Sequence, residues 1–164
     1  MFYLNNDINN ILTDSEDIIN FFSGKKILIT GGRGFLGKYF TEVFYRINKF
    51  IEKPLNLIVL DNLITGEKLP KQNQYKNFKF LFKDVCETFN FKDHIDLIIH
   101  AAGIASPYYY RKKPIETLDV AIKGTRNILD MAVQHSAKVI FFSSSEIYGD
   151  PDPSCIPTKE SYRG

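Results

Sequence analysis

A doubly wound α/β fold, a parallel sheet with helices on both faces, is what this sequence predicts, and three observations carry the prediction. Short apolar runs recur from Lys25 onward: KILIT (26–30), LIVL (57–60), FKFL (78–81), DLIIH (96–100) and KVIFF (138–142). They read mostly as continuous hydrophobic stretches, the pattern of strands buried on both faces. Helical-period stretches separate them, at about 35–50 and 114–135, and right-handed crossovers then place helices on either side of one sheet. The first run also passes directly into a glycine-rich turn that opens a helix.

Taken in order, residues 1–24 form an N-terminal helical extension. Ile8, Ile11 and Leu12, then Ile18, Ile19 and Phe22, recur at helical spacing. Thr13 or Asp14 is expected to cap the second short helix and Gly24 to end it, and the extension is expected to cover an edge of the domain. Residues 25–164 are expected to form the doubly wound domain itself. Pro54 stops any continuation of the first long helix. In the stretch 71–83, Tyr75, Phe78, Phe80 and Phe82 alternate as in a half-buried strand. Pro114 suits the first position of the second long helix, where its missing N–H costs nothing. Apolar residues along that helix are Ile115, Leu118, Ile122, Leu129 and Val133.

Composition narrows the function. The chain has 164 residues, about one domain, and 44% hydrophobic residues, enough for a core without disulfide or metal staples. Its net charge of +2 points to no nucleic-acid partner, and the mixed run Tyr108 to Lys113 carries too few cations to change that. No apolar run reaches the roughly 18–20 residues that span a bilayer, and the N-terminus lacks a signal-peptide pattern. Cys86 and Cys155 stand far apart, as free thiols of a reducing, cytoplasmic compartment. The three histidines, His94, His100 and His135, show no zinc-ligand spacing; no metal is expected. His94, His135 and Cys86 are expected at the surface or in packing.

Chemistry concentrates in three places. Thr30-Gly31-Gly32-Arg33-Gly34-Phe35-Leu36-Gly37 lies between a strand and a helix. There Gly31 permits the tight turn, Gly34 lets the backbone approach a pyrophosphate, and Gly37 lets the helix pack closely. Exposed N–H groups and the helix dipole favour the anion. Asp61 follows the next strand, 24 residues after Gly37, placed to accept the hydroxyls of an adenosine ribose and to repel a 2′-phosphate. NAD is thereby favoured over NADP, with Arg33 and Lys68 as the cations that would offset the repulsion. The third place is Ser143-Ser144-Ser145-Glu146-Ile147-Tyr148-Gly149, after the last strand.

These motifs resemble the extended short-chain dehydrogenase/reductases, the NAD-dependent epimerase/dehydratase family, whose members modify nucleotide sugars. The resemblance spans about 25–164 and implies a Rossmann-like domain, incomplete at its C-terminal end. It implies cofactor contacts from Gly31, Gly34, Phe35, Leu36, Gly37, Asp61 and Asn62, from Asp84-Val85 at the adenine, and from Ala101-Ala102 in the segment beside the cofactor. The segment 100–118, with Ser106, Pro107 and Tyr110, and Ser145 to Pro151 are most similar to the members that decarboxylate UDP-glucuronate. Related 4,6-dehydratases and 4-epimerases are the alternative, and a non-catalytic NAD-binding module is a further one. In such enzymes NAD oxidises the sugar at C4, and the resulting ketone labilises a neighbouring proton or carboxylate before it is reduced again. The resemblance implies Ser144 and Glu146 as catalytic, with Ser106, Pro107, Tyr110 and Ser145 toward a UDP-sugar substrate. It also implies a homodimer through the helix at 114–135. Two departures stand out. Ala121 replaces the family's asparagine, which removes an amide's hydrogen bonds. The family's Tyr-x-x-x-Lys pair, expected some 20–30 residues past Tyr148, does not occur, so this stretch is expected to lack turnover by itself.

Overall fold

The structure, a computed structural model, describes residues 5–66, 68 and 76–163. Tyr75, the start of the stretch 71–83, and the first four residues of the extension lie outside the described residues. Five strands, β1 (Lys26–Thr30), β2 (Asn56–Asp61), β3 (Phe78–Phe82), β4 (Leu97–His100) and β5 (Lys138–Phe141), make one parallel sheet in the order β3-β2-β1-β4-β5. Ile27, Leu28 and Ile29 are fully buried in the central strand, as continuous hydrophobicity requires of a strand covered on both faces. Each such side chain contributes roughly 1.5–3 kcal/mol by leaving water.

Two cores flank the sheet. On one face α2 (Phe35–Ile47) brings Phe44 and Ile47 onto Ile27, Ile29, Leu57, Val59 and Ile99. On the other, α5 (Thr125–His135) brings Ile128, Met131 and Ala132 onto Leu28, Ile58, Leu60 and Ile98. The chain leaves β1 toward β2 on one side and β4 toward β5 on the other, so the crossover reverses between β1 and β4. In open sheets of this kind a ligand crevice forms at the carboxyl ends of those strands.

Several elements differ from the sequence expectation. The extension is α1 (Asn5–Asp14) followed by a 3₁₀ segment Glu16–Phe22 preceded by Ser15, with no side-chain cap. Thr13 instead donates back to the Asn9 carbonyl at 3.1 Å. The extension packs on α2: Ile19 enters the core under that helix, Phe22 meets Phe44 edge-to-face at 5.1 Å, and Tyr39 donates to Asp7 at 2.8 Å. The second long helix is interrupted. After α3 (Pro107–Lys112), α4 (Pro114–Asp119) passes through a π-helical turn, Val120–Gly124, before α5. That turn shifts the register, so Ile128 faces the sheet while Ile122 and Val133 stand 67% and 80% exposed. Phe82, the last residue of the outer strand β3, is exposed, although Phe78 and Phe80 are buried.

Candidate functional site

The glycine turn is shaped by contacts that leave no choice of residue at two positions. Gly31 has φ +67°, and a Cβ there would lie 2.4 Å from the Ala101 carbonyl oxygen. A Cβ on Gly37 would lie 2.4 Å from both the Gly31 oxygen and the Gly32 Cα. Gly34, in contrast, meets only the Gly31 oxygen, at 3.2 Å, and opens toward the crevice. Gly34 also precedes the first residue of α2, so the N–H groups of the first turn have no partner within the helix. A bare backbone surface at a helix N-terminus suits a pyrophosphate.

Around that turn one cleft gathers Gly31, Gly34, Asp61, Asn62, Asp84, Val85, Ala101 and Ala102, residues from the ends of β1 to β4. Phe35 and Leu36 are not brought to it by their side chains, which line an apolar groove against α1 and the 3₁₀ segment; only their backbone faces the helix start. Asn62 donates to Asp84 at 2.8 Å, and Cys86 N–H donates to the other Asp84 oxygen at 2.8 Å. Burial opposes ionisation of Asp84, yet these two donors outweigh it and hold its carboxyl below the ordinary value. Asn127 from α5 donates to the Val85 carbonyl at 2.8 Å and steadies the same wall.

The floor of the cleft rests on a buried relay. Thr30 Oγ1 and His100 Nδ1 are 2.6 Å apart, Ala102 N–H reaches Thr30 Oγ1 at 3.4 Å, and His100 Nε2 reaches Thr125 Oγ1 at 3.2 Å. Thr30 Oγ1 accepts from Ala102 N–H, and the direction of its contact with Nδ1, like that of Nε2 with Thr125, is set by the tautomer of the ring. Burial lowers the His100 pKa to about 4, so the ring is neutral near pH 7. It ties β1, β4 and α5 together beneath Ala101-Ala102.

Sequence reasoning missed this relay, although His100 was in view; its signal, a polar residue ending two adjacent apolar runs, was present. It also missed Ile64, Thr65, Lys83, Ile104, Glu116, Asp119 and Val120 in the cleft wall. Cys86, read as a surface or packing thiol, lines the cleft; burial, then the Asp84 hydrogen bond and charge, pushes it up to about 11. It is therefore a thiol, not a thiolate, at neutral pH. His94 lies 3.7 Å from Asp96, and His135 lies 3.4 Å from Asn90.

The other sequence candidates stand apart from the cleft. Ser144 accepts from Glu146 N–H at 3.2 Å, capping the 3₁₀ turn Ser145–Tyr148, and Ser144, Ser145 and Glu146 are all exposed. Ser106 precedes α3, which Pro107 starts and which contains Tyr110, and all three are exposed. Ser144 follows β5, an outer strand of the sheet. No group of three metal-ligating side chains occurs among the described residues, and no helix there is long and apolar enough to cross a membrane.

Comparison with known proteins agrees with this geometry. A UDP-glucuronic acid decarboxylase of Arabidopsis thaliana is 36% identical over 147 residues, 88% of this chain and 40% of that protein. One from Danio rerio is 37% identical over 142 residues, 85% of this chain and 32% of that protein. The chain thus spans well under half the length of these relatives. An epimerase from Methanothermobacter thermautotrophicus superposes with a TM-score of 0.73 at 26% identity, covering 91% of this chain and 44% of the other. TunA, an NAD-dependent NDP-hexosamine 5,6-dehydratase, superposes with a TM-score of 0.65 at 29% identity, covering 85% and 43%. Residues 27–163 match the model of the NAD dependent epimerase/dehydratase family, and the chain belongs to that family.

Proposed function

We propose that this chain is the dinucleotide-binding part of an NAD-dependent enzyme that modifies a nucleotide sugar, with decarboxylation of UDP-glucuronate as the reaction. The observation that carries the reading is the pairing of the bare glycine turn with Asp61 at the carboxyl ends of the adjacent strands β1 and β2, a pyrophosphate seat beside a ribose acceptor. NAD, when bound, supplies the hydride acceptor and donor for a sugar carbon. This chain's own residues do the rest. Gly31, Gly34 and the first turn of α2 hold the phosphates, Asp61 takes the ribose hydroxyls, and Asp84 with Val85 faces the adenine. Ala101-Ala102 forms the floor under the nicotinamide half, held by the His100 relay.

Ser144 and Glu146 are assigned to the sugar, Ser144 to orient a hydroxyl and Glu146 to handle a proton. Ser106, Pro107, Tyr110 and Ser145 complete that side. The similarity to UDP-glucuronic acid decarboxylases at 36–37% identity supports decarboxylation over epimerisation or dehydration. The exposed stripe Ile115, Leu118, Ile122, Leu129 and Val133 supports a homodimer through α4 and α5. The unbonded Cys86 and Cys155 support a reducing, cytoplasmic setting.

The test is direct. Calorimetry should show NAD⁺ binding, and the full-length protein given UDP-glucuronate should release carbon dioxide only when NAD⁺ is present. Binding without carbon dioxide, and with a 4-epimer or a 4-keto-6-deoxy product instead, would replace the decarboxylase reading. Binding without any turnover of UDP-sugars would leave a cofactor-binding module, the reading that Ala121 and the exposed Ser144 favour.

A further inference from the structure

Asp61 is 7% exposed at the end of β2, and both its oxygens accept backbone N–H groups, Oδ2 from Arg33 at 2.8 Å and Oδ1 from Leu63 at 2.7 Å. The chain then doubles back. Leu63 takes φ +61°, and Gly66 comes so near that a Cβ on it would stand 2.6 Å from Asp61 Oδ1 and 3.1 Å from Arg33 Cβ. Beyond it, the Arg33 guanidinium donates from Nη2 to the Lys68 carbonyl at 3.0 Å. A single residue therefore grips the return at both ends. Its N–H holds the carboxylate, and its side chain holds the segment that lies on the carboxylate.

Resting on the dinucleotide reading above, we propose that Arg33 is a positioning residue that latches the segment following Asp61 across its carboxylate and so selects a 2′-hydroxyl over a 2′-phosphate. A carboxylate has about four acceptor directions, of which the two backbone N–H groups take two. Asp61 lines the cleft, so the rest are left for ribose hydroxyls. Gly66 fills the flank where a 2′-phosphate would need to sit, and the phosphate would meet Asp61 at close range. This reverses the role that charge alone assigns to Arg33. A cation beside the ribose would welcome the phosphate, but here the guanidinium is turned onto the Lys68 carbonyl.

The experiment measures Kd for NAD⁺ and NADP⁺ by calorimetry on the full-length protein and on Arg33→Ala, Arg33→Gln and Gly66→Ala, with thermal melting as the folding control. Arg33→Ala should weaken NAD⁺ about five- to tenfold without further weakening NADP⁺, narrowing the preference between them. Arg33→Gln, which keeps an N–H donor, should recover part of the loss, and Gly66→Ala should weaken NAD⁺ with Arg33 intact. The latch is overturned if Arg33→Ala leaves NAD⁺ affinity unchanged, if it selectively removes NADP⁺ binding, or if glutamine restores nothing. Should the unaltered protein bind neither dinucleotide, the dinucleotide reading itself falls, an outcome distinct from loss of the latch.

Discussion

His100 sits in an environment far from that of a free imidazole, 2% exposed between Thr30 and Thr125 with burial lowering its pKa from 6.5 to about 4. The sign of the consequence follows from which state binds the proton. Between pH 6.5 and 4 the unfolded chain takes up a proton that the folded chain refuses, so acid favours unfolding across that window. The loss approaches about 3 kcal/mol at its lower end and then levels. Melting curves of the protein between pH 7.5 and 4.5 should show this fall. A His100→Asn variant should be less stable at pH 7.5 and flatter in pH; an equally steep curve would assign the acid sensitivity elsewhere. The glycines make a second contrast at this scale. Gly34→Val should leave the fold intact and raise the Kd for NAD⁺ at least tenfold, because its side chain would project into the phosphate seat. Gly37→Ala should destabilise the protein itself, since its Cβ would stand 2.4 Å from backbone atoms of the turn. Melting temperature and NAD⁺ titration, measured on both variants, separate the two effects.

At the scale of elements, the π-helical turn Val120–Gly124 joins the site to the sheet. It carries Val120 into the cleft wall, and it brings Gly124 so close to the loop after β3 that a Cβ there would stand 2.7 Å from Val85 Cγ2. Widened turns of this kind are frequent at functional sites. Val85 is β-branched and stiff, so it cannot simply rotate away. Gly124→Ala should therefore weaken NAD⁺ several-fold through Val85, with a modest fall in melting temperature. Unchanged affinity would show that the wall accommodates the methyl. The interruption was not legible in the sequence, where Pro114 to His135 has one helical period throughout. A single extra residue in a turn changes no propensity, and only the fit against Val85 and the sheet selects it.

Across the whole molecule, the same interruption leaves an apolar stripe facing outward on α4 and α5, while Ile128, Met131 and Ala132 face the core. A helix apolar on two sides needs cover on both. If the stripe is a dimer face, Ile122→Glu with Val133→Glu should convert a dimer to a monomer in analytical ultracentrifugation while NAD⁺ binding persists. A protein that sediments as a monomer before substitution would remove that assignment. The strands, their parallel pairing and the glycine turn followed from the sequence alone, because each is written locally: continuous apolar runs, a 3.6-residue period, and glycine at closely spaced positions. Asp61 was legible for the same reason, as the acid that ends the second strand. What only the tertiary structure decided is what distant residues do to one another. Thr30 meets His100 across 70 residues, Arg33 closes over Asp61 across 28, and Ser144 with Glu146 stays outside the cleft at the sheet's open side. Local pattern sets which element forms, through backbone preference and the side that must leave water. Contact between elements depends on the summed geometry of the turns and packing between them, and no window of sequence contains that sum.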